Sequence, residues 1–173
     1  MIAGRVLARQ ASALLDIACG PGDFLIYMSS VAPNLRLAGT DLAPGMVRHA
    51  REKLGNKAEI IEAVGDAQPF PSGSFDVITI MMAFHHFPKK SEALKKIKQL
   101  LKPGGILMIA DVVASSDRVR GIWNVLEKIF GVRGFIEHYT KKDMEQAAHN
   151  AGLACDTTTI EGMASRYLLF TLS

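Results

Sequence analysis

Five short apolar segments alternate along this chain with segments of helical periodicity. The predicted strands cover residues 13–18, 35–40, 58–64, 75–81 and 106–113. Two stretches within them, 77–81 and 106–110, are apolar almost throughout, which is typical of central parallel strands covered by helices on both faces. The alternation therefore predicts an α/β fold with a doubly wound, Rossmann-like and mostly parallel sheet.

Helix signals fall between these strands and continue after the last of them. The predicted helices cover residues 44–54, 91–101, about 117–130 and about 140–151. Thr140, with Asp143 three residues on, forms an acidic variant of the capping box. Beyond it, apolar runs at 153–160 and 166–172 flank a short loop and predict an antiparallel hairpin. We therefore expect a seven-stranded sheet within a single domain, residues 1–173.

A glycine turn after the first strand is the most specific local signal. Gly20-Pro21-Gly22 follows the buried run that begins at Leu14 and precedes a predicted helix. Glycines let a ligand approach the backbone, and a helix start offers free N–H groups to an anionic group. The alternative is a tight turn without a ligand. Its place between strand and helix favours a ligand site.

Asp41 ends the second predicted strand, about 20 residues beyond the glycine turn. Nucleotide-binding folds place an acid there to accept hydrogen bonds from ribose hydroxyls. The alternative is a carboxylate that caps the turn at Leu42-Ala43-Pro44. Leu25 occupies the position where dinucleotide-binding proteins need a third glycine, so the pattern indicates a different nucleoside-containing cofactor.

Composition excludes several other classes of protein. The net charge is only +3, with lysines and arginines scattered, so no nucleic-acid partner is expected. Two cysteines, Cys19 and Cys155, cannot form a disulfide framework, and no Cys or His cluster has zinc-site spacing, so no metal is expected. No apolar stretch reaches the ~20 residues of a membrane span. The sequence predicts a cytoplasmic protein.

The motifs, in order, resemble those of class I S-adenosylmethionine-dependent methyltransferases, particularly small-molecule enzymes such as the ubiquinone and menaquinone C-methyltransferases. The likeness spans roughly Leu14 to Val113. It rests on six ordered stretches: 16–22, 39–46, 65–67, 70–76, 85–87 and 100–105. The resemblance implies the methyltransferase form of the Rossmann-like fold, S-adenosylmethionine as cofactor, and transfer of its methyl group to a small-molecule acceptor.

Carried over position by position, the resemblance assigns five residues to the methionine and ribose parts of the cofactor. Asp16, Ala18 and Gly20 surround the methionine part, and Gly22 allows close backbone approach. Asp41 holds both ribose hydroxyls. Ala18 stands where the commonest turn pattern has its first glycine, which adds one methyl group near the ligand.

Five further residues are assigned to the adenine and to the methionine end. Leu42 and Met46 pack against the adenine, Asp66 accepts a hydrogen bond from its amino group, and the Ala67 N–H donates to its ring. Met81 lines the methionine end through its backbone. The alternatives are that Leu42 and Met46 belong to the core and that Asp66 only caps a turn.

Displacement at a sulfonium methyl depends mainly on alignment and exclusion of water, so no nucleophilic residue is required. A general base helps where the acceptor is a weak oxygen or carbon nucleophile. The nearest candidates by motif position are His85, His86, His138 and Tyr139. The alternative for the histidine pair is that it shapes the turn after the fourth strand.

The residues before and after the region of resemblance leave the function open in two ways. Only about a dozen residues precede Leu14, whereas family members usually carry a helical segment there, so we expect a shortened N-terminal lid. A cofactor-binding pseudoenzyme or partner-dependent subunit is therefore the alternative to an enzyme. An apolar face at 121–135 is a candidate wall for an apolar substrate, with core packing and a membrane-surface helix as the alternatives. A homodimer is left open.

Overall fold

The structure is a computed structural model that describes residues 1–114, Arg118, Gly121, 139–159 and 167–173. Several predictions fall wholly or largely outside these residues: the helix at 117–130, the apolar face at 121–135, His138 and the loop between the two tail strands. Within the described ranges, no helix is long and apolar enough to cross a membrane.

Seven strands of the described chain form one sheet in the order β3-β2-β1-β4-β5-β7-β6. They are β1 (Ala13–Ile17), β2 (Arg36–Asp41), β3 (Glu59–Glu62), β4 (Phe75–Met81), β5 (Leu101–Val112), β6 (Cys155–Thr159) and β7 (Tyr167–Leu172). Strands β1 to β5 pair in parallel, while β7 pairs antiparallel with both β5 and β6. The predicted Rossmann-like sheet and its C-terminal antiparallel hairpin are confirmed.

The described helices are α1 (Ile2–Ala8), α2 (Asp23–Val31), α3 (Pro44–Leu54), α4 (Lys90–Lys98) and α5 (Lys141–Asn150). The Thr140 capping box is present, with the side chain accepting from the Asp143 N–H. The predicted boundaries between α4 and β5 were wrong, since the strand predicted over 106–113 already begins at Leu101. The predicted helix over 91–101 ends at Lys98, and Leu101 opens β5 because it pairs with Phe75 before a register shift.

Helices cover both faces of the sheet because alternate side chains of each central strand point to opposite sides. On one face, Leu14 and Val77 pack in a cluster with residues of α1, α2 and α3. On the other, Leu15 and Ile80 pack with residues of α4 and α5. From β1 the chain runs outward through β2 to β3 and then returns to β4 on the other side of β1. The strand order therefore reverses between β1 and β4, and a crevice forms at the carboxyl ends of these strands.

At the opposite, amino-terminal end of the sheet, Asp76 joins the starts of three strands. Its Oδ2 accepts from the Ser12 hydroxyl at 2.7 Å, the Ala13 N–H at 2.8 Å and the Lys102 ammonium at 2.9 Å. Burial opposes ionisation, but the hydrogen bonds from Lys102, Ser12 and Ala13 outweigh it and hold the pKa of Asp76 well below its usual range.

We expect Asp76→Ala to lower the free energy of unfolding by about 2 kcal/mol at neutral pH, since several donors lose a charged acceptor. A depressed carboxyl pKa stabilises the fold above the unfolded value of 3.8 and loses that effect as pH falls. Urea unfolding should therefore show a smaller difference from wild type at pH 3 than at pH 7. The exposed Asp156→Asn control should stay within about 0.5 kcal/mol of wild type at both. Equal losses for both variants would contradict the assignment.

Candidate cofactor-binding cleft

A cavity of about 700 Å³ lies at the carboxyl ends of β1, β2 and β4. Such crevices, where the strand order reverses, are where open α/β sheets bind ligands. The structure brings seven of the ten predicted cofactor-binding residues into its lining: Ala18, Gly20, Asp41, Leu42, Met46, Asp66 and Met81. The other three, Asp16, Gly22 and Ala67, are not among its lining residues.

Asp41 joins the end of β2 to the glycine turn. Its Oδ2 accepts from the Gly20 N–H at 2.8 Å, and its Oδ1 accepts from the Ala43 N–H at 2.9 Å. The turn-capping role considered as an alternative is therefore real. Each carboxylate oxygen has a second lone pair. The carboxylate is fixed at the cavity wall and can still accept from two hydroxyl groups.

The apolar walls of the cavity are exposed rather than packed in the core. Leu42 is 65% exposed and Met46 is 42% exposed, so the alternative that they are core residues is wrong. Val64 and Met82 line the same cavity and are 52% and 46% exposed. Exposed apolar side chains gathered around one concave surface are typical of a site for a flat apolar ring.

The glycine turn uses left-handed backbone at three positions, with φ of 57° at Ala18, 56° at Gly20 and 82° at Gly22. A Cβ at Gly20 would meet no atom within 4 Å, so this glycine leaves the cavity side open. A Cβ at Gly22 would lie 2.9 Å from Leu54 Cδ1 and 3.2 Å from Ala50 Cβ. Gly22 therefore permits close packing of α2 on α3, a different role from the one the resemblance implied.

We expect Gly22→Ala to lower the free energy of unfolding by about 2–3 kcal/mol, because it adds both backbone strain and overlap with α3. Gly20→Ala is the matched control, because it has a similar φ but open space. It should stay within about 1 kcal/mol of wild type, since reduced entropy of the unfolded chain offsets part of its strain. Urea unfolding of both variants tests this, and equal losses would refute the packing role.

Asp66 and Ala67 lie in the turn after β3. Asp66 lines the cavity, and its Oδ2 accepts from the Lys96 ammonium of α4 at 2.8 Å. The Ala67 N–H donates to the Val64 carbonyl at 2.9 Å, which closes the turn. This geometry does not offer the Ala67 N–H to a ligand in the cavity, whereas the Asp66 carboxylate lies at the cavity wall.

Asp16, in β1, is a buried carboxylate with one oxygen unpaired. It is 1% exposed, and its Oδ1 accepts from the Thr79 hydroxyl at 2.6 Å. Its Oδ2 has no hydrogen-bond partner within the part of the chain that the structure describes. Burial raises the pKa of Asp16 to about 7, the Thr79 hydrogen bond opposes that shift, and the Asp41 charge adds to it. This residue lies two positions before the cavity-lining Ala18.

The candidate bases lie after β4 and near the end of β5. His86 lines the cavity, and the His85 ring lies next to it with centroids 4.1 Å apart. His85 Nδ1 is 2.7 Å from Oδ1 of Asp111, a residue the sequence reasoning missed. Tyr139 is 2% exposed and donates its hydroxyl to Asp111 at 3.2 Å. Burial and the Asp111 carboxylate raise the pKa of Tyr139 far above its usual range, which rules against Tyr139 as a base.

A family model described as a methyltransferase domain matches residues 15–109. The demethylmenaquinone methyltransferase of Thermus thermophilus is 35% identical over 108 residues, covering 61% of this chain and 49% of that protein. The corresponding Deinococcus radiodurans protein is 36% identical over 112 residues, covering 63% and 46%. The chain thus spans about half the length of these curated relatives.

Solved structures share the fold at low sequence identity. A complex of the Haloferax volcanii Trm112 methyltransferase activator with a putative methyltransferase matches with a TM-score of 0.79 at 20% identity, covering 98% of this chain and 87% of that one. A SAM-dependent methyltransferase from Aquifex aeolicus matches with a TM-score of 0.73 at 20% identity, covering 98% and 88%.

Proposed function

Because the chain belongs to the methyltransferase domain family, whose model matches residues 15–109, we propose that its cavity binds S-adenosylmethionine and that the protein transfers the methyl group to a small-molecule acceptor. The observation that carries this proposal is Asp41. Its carboxylate is held by the Gly20 and Ala43 N–H groups between the glycine turn and the apolar side chains of Leu42 and Met46. A nucleoside needs this combination of a hydroxyl acceptor and flat apolar walls.

The residues at the carboxyl end of β1 suit the methionine part of the cofactor. That part carries an ammonium group, and Asp16 holds a buried carboxylate oxygen without a partner among the described residues. A cation near this oxygen offsets the cost of burying the carboxylate. The open side of Gly20 leaves room for the ligand against the backbone, and Met81 lines the cavity nearby.

The bound cofactor supplies a methyl group on a positively charged sulfur, ready for direct displacement. The chain aligns the reacting groups and excludes water from them. Asp41 and Asp66 orient the nucleoside end, while Val64, Met82 and Phe87 give the rest of the cavity an apolar lining. Such a lining keeps water from the reacting atoms. No protein nucleophile is required.

The acceptor we propose is an apolar aromatic molecule that carries hydroxyl groups, of the reduced demethylmenaquinone class. Two observations support this acceptor: the relatives are demethylmenaquinone methyltransferases, and the cavity wall is apolar at Met82 and Val64. A cytoplasmic location stays a prediction from the sequence, and a homodimer stays open.

The test has two stages. Calorimetric titration with S-adenosylmethionine should give one site per chain. Incubation with reduced demethylmenaquinone and the cofactor should then yield a product that carries one added methyl group, detected by mass spectrometry. Absence of cofactor binding would contradict the whole proposal. Binding without transfer to this acceptor or to mixed metabolites would favour the cofactor-binding pseudoenzyme or partner-dependent subunit.

A further inference from the structure

Asp111 is a fully buried carboxylate in an otherwise apolar part of β5. Four groups donate to it: the His85 N–H at 2.8 Å, His85 Nδ1 at 2.7 Å, the Val112 N–H at 2.8 Å and the Tyr139 hydroxyl at 3.2 Å. Its side chain has 0% exposure. A charge in such a place is tolerated only when hydrogen bonds surround it. Leu107 and Ile109 of the same strand pack in the apolar core, and their packing does not require a carboxylate at position 111.

These contacts set the tautomer of His85. An ionised carboxylate only accepts hydrogen bonds, so Nδ1 carries the proton that it donates to Asp111. In the neutral ring the basic lone pair is then on Nε2. The His85 backbone N–H also donates to Asp111, so both the main chain and the ring of this residue are fixed.

The imidazole packs against a residue of the cavity wall, although His85 itself is not among the lining residues. His85 keeps 17% of its side chain exposed, and its ring lies 4.1 Å, centroid to centroid, from the ring of cavity-lining His86. His85 lies two positions after the cavity-lining stretch 81–83, in the short helix Phe84–His86. Tyr139 is a hydrogen-bond donor to Asp111 and holds its proton, so it supports Asp111 rather than acting on a ligand.

We propose that Nε2 of His85 is the general base that removes a hydroxyl proton from the acceptor, and that Asp111 is the positioning residue that fixes the ring. This rests on the proposed function and narrows the acceptor to one with an ionisable hydroxyl on an aromatic ring. A carbon of such a ring attacks a sulfonium methyl group far more readily once the hydroxyl on the ring is deprotonated.

The step balances without a further reactant. The hydroxyl proton moves to Nε2, and the electron pair it leaves is delocalised to a ring carbon, which forms a bond to the methyl carbon. The carbon–sulfur bond breaks and its electron pair stays on sulfur, giving a neutral thioether. The ring carbon then releases its own proton to solvent, and Nε2 returns its proton to the oxygen.

The experiment compares wild type with His85→Gln, Asp111→Asn and the exposed control His149→Gln. Calorimetry measures S-adenosylmethionine affinity, and methyl transfer to reduced demethylmenaquinone gives kcat. We expect His85→Gln to lose at least about 100-fold in kcat, a typical general-base contribution, with cofactor Kd within threefold of wild type. Asp111→Asn should lose about 10–100-fold. His149→Gln should match wild type. In a further variant, His85→Ala, added imidazole should raise kcat at least tenfold.

A spectroscopic measurement keeps the assignment testable apart from the acceptor. Long-range ¹H–¹⁵N correlation spectra of the wild-type protein should show His85 protonated at Nδ1 and bare at Nε2. If the protein binds the cofactor but does not methylate the probe, the proposed acceptor is wrong and this spectrum decides the base. Full activity of His85→Gln, or a His85 ring protonated at Nε2 instead of Nδ1, would overturn the proposal.

Discussion

Asp41→Ala should weaken S-adenosylmethionine binding at least about 100-fold in a calorimetric titration. Two hydroxyl-to-carboxylate hydrogen bonds contribute about 1.5–3 kcal/mol each, and the substitution removes both. It also removes the acceptor for the Gly20 and Ala43 N–H groups, so the glycine turn loses its connection to β2. Both effects act in the same direction on affinity.

A surface aspartate provides the control for this loss. Asp23 is 74% exposed in α2, pairs only with Lys53 among the contacts the structure gives it, and does not line the cavity. Asp23→Ala should bind the cofactor within threefold of wild type. Urea unfolding of Asp41→Ala checks that the variant is folded at the titration temperature. A folded Asp41→Ala protein with wild-type affinity would remove the basis for the ribose assignment.

The second large effect concerns pH and the stability of the ligand-free protein. Burial raises the pKa of Asp16 from 3.8 to about 7, so the folded state keeps a proton that the unfolded state releases above about pH 4. Stability therefore falls as pH rises from about 4 to about 7, by an amount on the order of 4 kcal/mol. Above pH 7 this contribution is lost.

Asp16→Asn isolates the contribution of this carboxyl to the pH dependence of stability from the contributions of other groups that titrate in the same range. The amide cannot ionise, so the variant should be more stable than wild type at pH 8, with a difference that shrinks towards pH 4. Urea unfolding curves for both proteins across this range give the comparison. A constant difference across the range would mean that Asp16 does not titrate as its burial requires.

Local sequence patterns predicted the parts of this protein that depend on neighbouring residues. The parallel strands follow from apolar runs such as Val77–Met81, and the α5 start follows from the Thr140 capping box. The position of Asp41 followed from its spacing to the glycine turn. These features are encoded within a few residues or within one strand–helix unit.

The features that the sequence did not predict depend on long-range contacts. Gly22 packs against Ala50 and Leu54 of α3, and no pattern near Gly22 reveals that neighbour. Asp111 acquires its significance only when β5 lies beside the turn that carries His85, 26 residues earlier. An acid inside an apolar strand was the available signal for Asp111. Leu101 was predicted to belong to a helix because local periodicity does not reveal its strand pairing with Phe75, which is a long-range contact.

The proposed function requires an adenine nucleoside to lie between the glycine turn and the apolar side chains that follow β2. Intermolecular NOEs between S-adenosylhomocysteine and protein methyl groups measure this directly. We predict contacts from the adenine protons to the Met46 and Leu42 methyl groups, since both side chains line the cavity. A bound ligand whose adenine protons contact neither residue would contradict the account.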